Sequence, residues 1–564
     1  MASLIALSFH PSLSSEERNR LTSRATTALQ IRDGSRPLRT TTNDGVVLST
    51  YEASTGAAIP LTRSGLQPAD PDAPPGGCLE IDEGVTLRTD RLGLKHAYQY
   101  EAADWCAVST SAPILGAVSK RPLDERSWLW FGLTGSLVSE RSLLDGVERI
   151  RGATTVRLAR GSLRAVQLAP RAGRDDLNGV DAVRMSVGQL LRSHGDAALE
   201  LSGGLDSRVI LAAIAPDERA GRSAITIGDP GDPDVEIARR IASRWQLDHQ
   251  VIPPWRVTAS IANDYEAVQA AALARDFCAD GLAGAIHEHV DGQVPTAARF
   301  TGLNGEYIRG FFYPGTPPLG GVTRGNVERL VRWRLLTNHR VGDGVLHDSR
   351  VAEAVDSFTD YVHERLLTTG MPSLRAATDE YYLHERVVGW AGPTYSRSAT
   401  RYAVLAPFLQ PEFLNWVAQV PVSVRAGSRA LAGCLIALDD ELGSLPLADG
   451  LTPSQLVSGS PMGYASRGTH KTGKVVRKVR QRAQRSRRPP SSTSGPLEAT
   501  LRAFADQDPR SVIAQAPFIS PHFLDSWAPK RDRLDATTLS YLLNLVGILT
   551  FLAQVDRQAD TSVD

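Results

Sequence analysis

Between Leu201 and Arg208 the sequence reads Ser202-Gly203-Gly204-Leu205-Asp206-Ser207. The apolar run Ala197 to Leu201 before it predicts a strand, and RVILAAIA after it predicts a helix, so the hexapeptide is the turn between them. Such a turn leaves backbone N–H groups unpaired beside the positive end of the helix dipole. Two glycines let a large anion approach the main chain, and Ser202 and Ser207 add hydroxyl donors. Asp206 would repel phosphate unless a cation lay between them, so its natural role is to hold Mg²⁺. The chemistry this spacing suits is the binding of pyrophosphate with magnesium. It is not a Walker A loop, which needs Gly-Lys-Ser/Thr. The bland alternative is a chance glycine turn, and the complete hexapeptide in a strand–turn–helix setting argues against it.

The elements that must position this turn are legible around it. Ala224 to Gly228 reads as a second strand and VEIARRIASRWQ as a second helix. Strands alternating with helices predict a parallel sheet covered on both faces. From Val327 onward helical patterns dominate. The first 170 residues differ: short strands such as GVVLSTY and TTVRLARGSL surround the Pro/Gly/Asp-rich TRSGLQPADPDAPPGGC. A chain of 564 residues is too long for one ordinary core. The polar stretch APRAGRDDLNG at 169–179 reads as a junction, dividing the chain into domains over 1–172 and 180–564.

Lys+Arg and Asp+Glu each total 62, so no net field draws the chain to nucleic acid or membrane, and neither is expected as a partner. The strong charge run, HKTGKVVRKVRQRAQRSRR from His470, lies in a segment 470–496 that reads as a flexible insertion, or else as an arm closing over an anionic substrate. The four cysteines have no disulfide or zinc spacing and fit a reducing cytoplasm. MASLIALSFHPS lacks the basic region and apolar run of a signal peptide. Leu539 to Val555 is strongly apolar, but Ser540, Asn544, Gly547, Thr550 and Gln554 recur along one helix face, which predicts a buried core helix rather than a membrane span. Asp535 is placed to cap it.

SGGLDS resembles the pyrophosphate loop of the asparagine synthetase family, which includes β-lactam synthetases and lasso peptide cyclases. The resemblance assigns Leu201, Ser202, Gly203, Gly204, Leu205, Asp206 and Ser207 to the ATP phosphates. It assigns Thr226, Ile227 and Gly228 to a strand end whose backbone meets adenine; DPGDPDVEIARRIA and His249 follow. Gly302, Leu303, Asn304, Gly305 and Glu306 resemble the family loop Gly-x-Gly-(Ser/Gly)-Asp, with Glu306 replacing the aspartate as a second magnesium ligand beside Asp206. Arg309-Gly310-Phe311-Phe312-Tyr313 departs from the family's glycine-rich continuation. Glu380 to Arg386 and Ala406 to Leu409 look like the family's later helices, and the likeness covers roughly 195 to 440. More weakly, Asp90-Arg91-Leu92-Gly93 with Ala97-Tyr98 resembles the family's glutaminase domain. A working glutaminase carries a cysteine after the initiator methionine; here Ala2 stands there, and Ser3 is a weaker nucleophile in the wrong register. The fold implied is α/β: a degenerate N-terminal Ntn-hydrolase-like αββα sandwich, then an ATP-pyrophosphatase domain with a doubly wound parallel sheet and a helical C-terminal part.

The function implied is that of an AMP-forming carbon–nitrogen ligase using ATP and Mg²⁺. A small-molecule or peptide carboxylate would be activated as its adenylate and attacked by an amine. Lasso peptide macrolactam formation is the favoured instance, with a precursor peptide and a processing protease as partners. The alternatives are ammonia-dependent amidation of a carboxylate and a non-catalytic scaffold. Leu303 occupies the slot where β-lactam synthetases carry a tyrosine of their base pair. Tyr382 and Glu385, one helical turn apart, are candidates for that base, or else ordinary core-edge residues. Arg386 either contacts AMP or pairs with a carboxylate, and Lys471 or Lys474 is the candidate cation near AMP. His249 and His384 read as structural, Trp245 and Trp390 as core.

Overall fold

A computed structural model describes residues 3–34, 39–43, 46–50, 58–62, 72–81, 83–169, 173–174, 176–253, 261–317, 320–336, 340–448, 450–457, 500, 503–504, 506–527 and 534–561. The chain begins with β1 (Leu4–Phe9), α1 (Ser15–Asp33), β2 (Arg39–Asn43), β3 (Val46–Thr50), β4 (Ala58–Pro60), β5 (Gly77–Ile81), β6 (Val85–Thr89), β7 (Tyr98–Glu101) and β8 (Trp105–Ser109). There follow α2 (Ala112–Ser119), α3 (Glu125–Thr134), β9 (Glu148–Arg149), β10 (Thr154–Ala159) and β11 (Ser162–Gln167). These strands form two sheets, in the orders β2-β3-β1-β8-β7-β9 and β11-β10-β6-β5-β4.

β1 is apolar except for Ser8, whose hydroxyl accepts from Gly161 N–H (2.9 Å), because both of its faces are covered. Leu4 and Ala6 point between the sheets, where they meet Leu79, Leu87, Val156 and Leu158. Ile5, Leu7 and Phe9 point the other way, into a core shared with Leu21, Ala25 and Leu29 of α1. The expected αββα sandwich is not evident. Among the described residues, α1 and α2 pack on the β1–β8 sheet, while the far face of the second sheet carries exposed Arg88, Arg157 and Arg164. A helix laid there would have to take those charges out of water.

The third sheet lies in the second part of the chain. Its elements are α4 (Gly179–Ser193), β12 (Ala198–Glu200), α5 (Leu205–Ala213), β13 (Ser223–Ile227), α6 (Pro233–Arg244), β14 (Asp248–Ile252), α7 (Ile261–Ala274), α8 (Gly281–Gln293), β15 (Ala298–Phe300) and β16 (Ala403–Leu405). All four pairings are parallel, in the order β14-β13-β12-β15-β16. Leu199 faces a core that includes Val187 of α4, Val209 of α5 and Ile241 of α6, whereas Ala198, Ile225 and Ile252 face Val290 of α8. The helices therefore cover both faces, as the alternating pattern predicts. The chain runs outward from β12 to β14 and then returns to the other side of β12 as β15. The point of reversal, between β12 and β15, is where open α/β sheets build their ligand sites.

Beyond β15 the chain is mostly helical, including Asp348–Thr368, Leu374–Tyr381, a π-helical turn at Tyr382–Ala391, and Gly392–Ser398. The last helix, Ala536–Thr561, is long and apolar enough to cross a membrane by length and composition, yet 56% of its most apolar window is buried. Asp535 Oδ1 accepts from the Thr538 N–H (2.8 Å), the expected cap. The polar stripe serves the turn between α7 and α8. Ser540 Oγ accepts from Gly281 N–H (3.1 Å), Asn544 Nδ2 donates to Ala279 O (2.7 Å), and Gly547 lies against the Phe277 ring. Tyr541 donates to Trp128 O across the chain, tying the last helix to the first third.

A Cβ on Gly547 would sit 2.4 Å from Phe277 Cε1. In an exposed helix Gly→Ala stabilises by about 1 kcal/mol; here Gly547→Ala should instead cost about 1–3 kcal/mol from overpacking. Thermal unfolding checks this, and a midpoint at or above that of the unsubstituted protein would contradict the packing described.

Candidate active site

The hexapeptide turn leaves β12 and enters α5 with no side chain capping the helix. Its first N–H groups are thus placed for an anionic ligand, the arrangement that helix N-termini offer to phosphates. The turn is held from within. Ser202 N–H donates to Ser207 Oγ (3.1 Å), Gly204 N–H donates to Ser202 Oγ (3.1 Å), and the two hydroxyls lie 3.2 Å apart. Leu201 and Leu205 are buried and anchor its ends. Arg208, fully buried, donates to the carbonyls of Gly203 (3.1 Å), Leu445 (2.8 Å) and Pro446 (2.6 Å), clamping the turn to the 445–448 loop. Asp234, at the start of α6, approaches so closely that a Cβ on Gly203 would lie 2.8 Å from its Oδ1.

Thr226, Ile227 and Gly228 end the neighbouring strand β13. The Thr226 hydroxyl faces inward, donating to Leu201 O (2.8 Å) and meeting His249 Nε2 (2.8 Å), so both side chains bridge neighbouring strands. Ile227 is 46% exposed, an apolar surface beside the turn. Gly228 lets α6 approach, since a Cβ there would strike Val235 at 2.5 Å.

Across the point of reversal, the loop after β15 closes on Asp206. A Cβ on Gly302 would lie 3.0 Å from Asp206 Cβ, and one on Gly305 would lie 2.4 Å from its Oδ1. Asn304 takes a left-handed conformation (φ 74°), and its Nδ2 donates to Phe408 O (2.8 Å). Leu303 is partly buried against the core. Arg309 Nη2 donates to Asp206 Oδ2 (2.5 Å) and lies 3.9 Å from Glu306 Oε1. Asp206 Oδ1 is buried and without a partner. Burial lifts the Asp206 carboxyl to about 6 against the pull of Arg309, and Glu306 pushes it the same way. An orphaned carboxylate oxygen beside a second, half-open carboxylate suits a divalent cation. Among the described residues no group of three metal-ligating side chains exists, so such a cation would share its coordination with the phosphates.

The π-helical turn supplies the opposite wall. Tyr382 donates its hydroxyl to Glu306 Oε2 (3.1 Å). Burial, and then Glu306, hold that phenol well above its ordinary range. Glu385 faces elsewhere: it accepts from Arg365 Nη2 (2.6 Å) and Nε (2.8 Å) and from Ser139 N–H (3.2 Å). Tyr382 is therefore brought to Glu306 and not to Glu385. Arg386 lies between Ser136 Oγ (3.5 Å) and the Trp390 ring (4.9 Å). Trp390, expected in the core, is 48% exposed; Trp245 is partly buried. His384 lies 3.5 Å from Glu380 on its own helix. Ala2, Lys471 and Lys474 fall outside the described residues. Ser3 is engaged, its N–H on Asp33 (2.6 Å) and its hydroxyl on Arg32 Nε (2.7 Å).

Sequence reasoning missed Arg208, Asp234 and Arg309. The signal for Arg208 was a charge opening an otherwise apolar helix. For Arg309 it was the departure from the glycine-rich continuation. Glu200, at the end of β12, was also missed; burial lifts its carboxyl to about 7.

A parallel sheet with an uncapped, glycine-rich turn and two carboxylates at its point of reversal defines a nucleotide-binding α/β architecture. Residues 180–263, from α4 through β14 into α7, match the asparagine synthase family. The matched region is thus consistent with the asparagine-synthetase-like superfamily; it contains Ser202–Ser207 and Thr226–Gly228 and stops short of Gly302–Glu306. The match implies ATP-binding capability and is consistent with ligase function by ATP-dependent amide-bond formation in general. No curated protein matches the chain.

Because the folded state raises the Asp206 pKa, ionising Asp206 costs stability as pH rises from about 4 to about 6, and the penalty is complete above that window. With chelator present and no nucleotide, Asp206→Asn should therefore stabilise the protein at pH 8 by about 1–3 kcal/mol, with the gain vanishing below pH 4. Denaturant unfolding at the two pH values checks this. A less stable variant at pH 8 would contradict it.

Proposed function

We propose that this protein is an AMP- and pyrophosphate-forming ligase that activates a substrate carboxylate as its adenylate and joins it to an amine carried by the substrate. The observation that carries this reading is the meeting of Ser202–Ser207 with Gly302–Glu306 at the point of reversal, with Asp206 between them. A glycine turn at a helix N-terminus grips pyrophosphate, the leaving group of adenylation, rather than a single phosphate.

The residue roles follow from position. The main chain of Gly203–Asp206 and the hydroxyls of Ser202 and Ser207 bind the departing pyrophosphate. Asp206 and Glu306 hold Mg²⁺, which when bound offsets the charge of the phosphates. Exposed Ile227 offers adenine an apolar face. Tyr382 keeps its proton and orients Glu306, and Glu385 is committed to Arg365, so both act as positioning groups in this reading. Arg386, beside Tyr382, supplies positive charge toward the AMP that departs in the second step.

The site adjoins a cleft lined by Leu137, Val138, Phe311, Phe312 and Tyr381, with Arg386 at its edge. A largely apolar cleft, with Arg334, Arg386 and Glu385 among its lining, suits a peptide or an apolar acid better than a small polar one. A peptide substrate can carry its own amine, and lasso peptide macrolactam formation is the instance we infer. A precursor peptide and a processing protease would then be its partners, and the cytoplasm its compartment.

With its true substrate the enzyme should produce AMP and pyrophosphate in equal amounts and a product lighter by one water. Labelled ammonium and the amide label of glutamine should both stay out of the product. Product analysis by mass spectrometry checks all of this in one reaction. ADP as the stoichiometric product would sink the adenylation reading. Ammonium label in the product would replace the substrate amine by free ammonia.

A further inference from the structure

A second polar cavity, of about 260 Å³, lies away from the nucleotide turn and shares no residue with it. Its wall is assembled from both parts of the chain: Ser3 before β1, Arg32 and Asp33 ending α1, Lys95 and Thr110, and then Arg275 and Asp276 after α7 and Arg397 after the π-helical turn. Nothing in the proposed reaction uses it.

Asp90 fixes the turn that presents Lys95. Its two oxygens accept the N–H groups of Leu92 (3.0 Å), Leu94 (3.0 Å), Lys95 (2.8 Å) and Gly76 (3.2 Å). The Lys95 side chain is buried, and its ammonium donates to Ser396 O at 3.3 Å. That long bond to a neutral carbonyl is poor compensation for a desolvated charge. Accordingly the ammonium is drawn down to about 8.

The surroundings deepen the imbalance. Arg32 pairs with Asp276 (2.8 Å), and Asp33 takes the Ser3 N–H. Arg275 (3.0 Å), Arg397 (3.0 Å) and Arg401 all converge on one carboxylate, Glu288. Arg275 is wholly buried, and its Nε and Nη2 have no partner. Of the charged side chains that line the cavity, four are cations (Arg32, Lys95, Arg275 and Arg397) and two are carboxylates (Asp33 and Asp276), and the adjacent Arg299–Asp291 pair is neutral. Buried positive charge in excess around a cavity is costly unless an anion completes it.

We infer that this cavity binds a small organic carboxylate, with Lys95 as its counter-charge. The volume falls below that of drug-sized pockets and fits a metabolite-sized acid. At about 260 Å³ the cavity is also too small for a second nucleotide. The site stands independently of the reaction proposed above.

Calorimetric titration of the full-length protein with succinate tests the inference, with inorganic phosphate and ATP titrated in parallel. Succinate should bind at one site, more tightly than phosphate. Lys95→Met should weaken it at least tenfold while leaving ATP affinity unchanged. Without ligand, Lys95→Met should also raise the melting temperature and abolish the rise that succinate gives the unsubstituted protein. Ala270→Phe, an exposed position on the cavity rim, should block succinate without altering charge. No heat at millimolar succinate, unchanged affinity in Lys95→Met and Ala270→Phe, displacement by ATP, or tighter binding of phosphate would each overturn the inference.

Discussion

The arrangement of the site depends on one close approach: the main chain of Gly305 rests on the carboxylate of Asp206, leaving no room for a Cβ between them. That contact requires β12 and β15 to be parallel neighbours, so that the loops leaving their ends meet. It requires Gly302 and Gly305 at their positions, and it uses Asn304 in a left-handed turn pinned to Phe408. Arg208 holds the other side, fixing the Gly203 carbonyl from within the core. A half-buried carboxylate with one oxygen on Arg309 and the other buried and unpaired is an unfavourable arrangement for a resting protein, and ligand sites commonly carry such a cost.

The first third of the chain is part of this construction. Leu137 O lies where a Cβ on Gly389 would be (2.0 Å), Ser139 N–H reaches Glu385, and His96 Nε2 meets Val388 O (2.9 Å). Burial drops the His96 imidazolium to about 3, so this ring is neutral at physiological pH and binds as a fixed strut. These contacts brace the π-helical turn that delivers Tyr382 to Glu306 and Arg386 to the cleft. A π-helical turn is strained relative to an α-helix and persists where neighbours hold it. The two sheets of the first third thereby help to hold the site.

Much of this was legible in the sequence because it rests on local chemistry. A strand, a two-glycine turn and a helix announce an anion site in six residues. The strand–helix alternation gave the parallel sheet, and the stripe from Ser540 to Gln554 with Asp535 before it gave a capped, buried helix. What was not legible depends on distant partners. Tyr382 and Glu385 sit one turn apart on one helix, yet Glu306 and Arg365 draw them to different neighbours. Trp390 looked like core but is held at the surface beside Arg386. That no described helix covers Arg88, Arg157 and Arg164 follows from an alternation that was present in β6, β10 and β11 but could not be assigned to a face without the pairing.

In the function proposed above, the approach of Gly305 to Asp206 shapes the pyrophosphate site. Isothermal titration of pyrophosphate with magnesium into the unsubstituted protein and into Gly305→Ala measures it directly. A methyl group there must displace Asp206, so pyrophosphate should bind the unsubstituted protein and bind the variant at least tenfold more weakly. Equal affinity in the two proteins would contradict it.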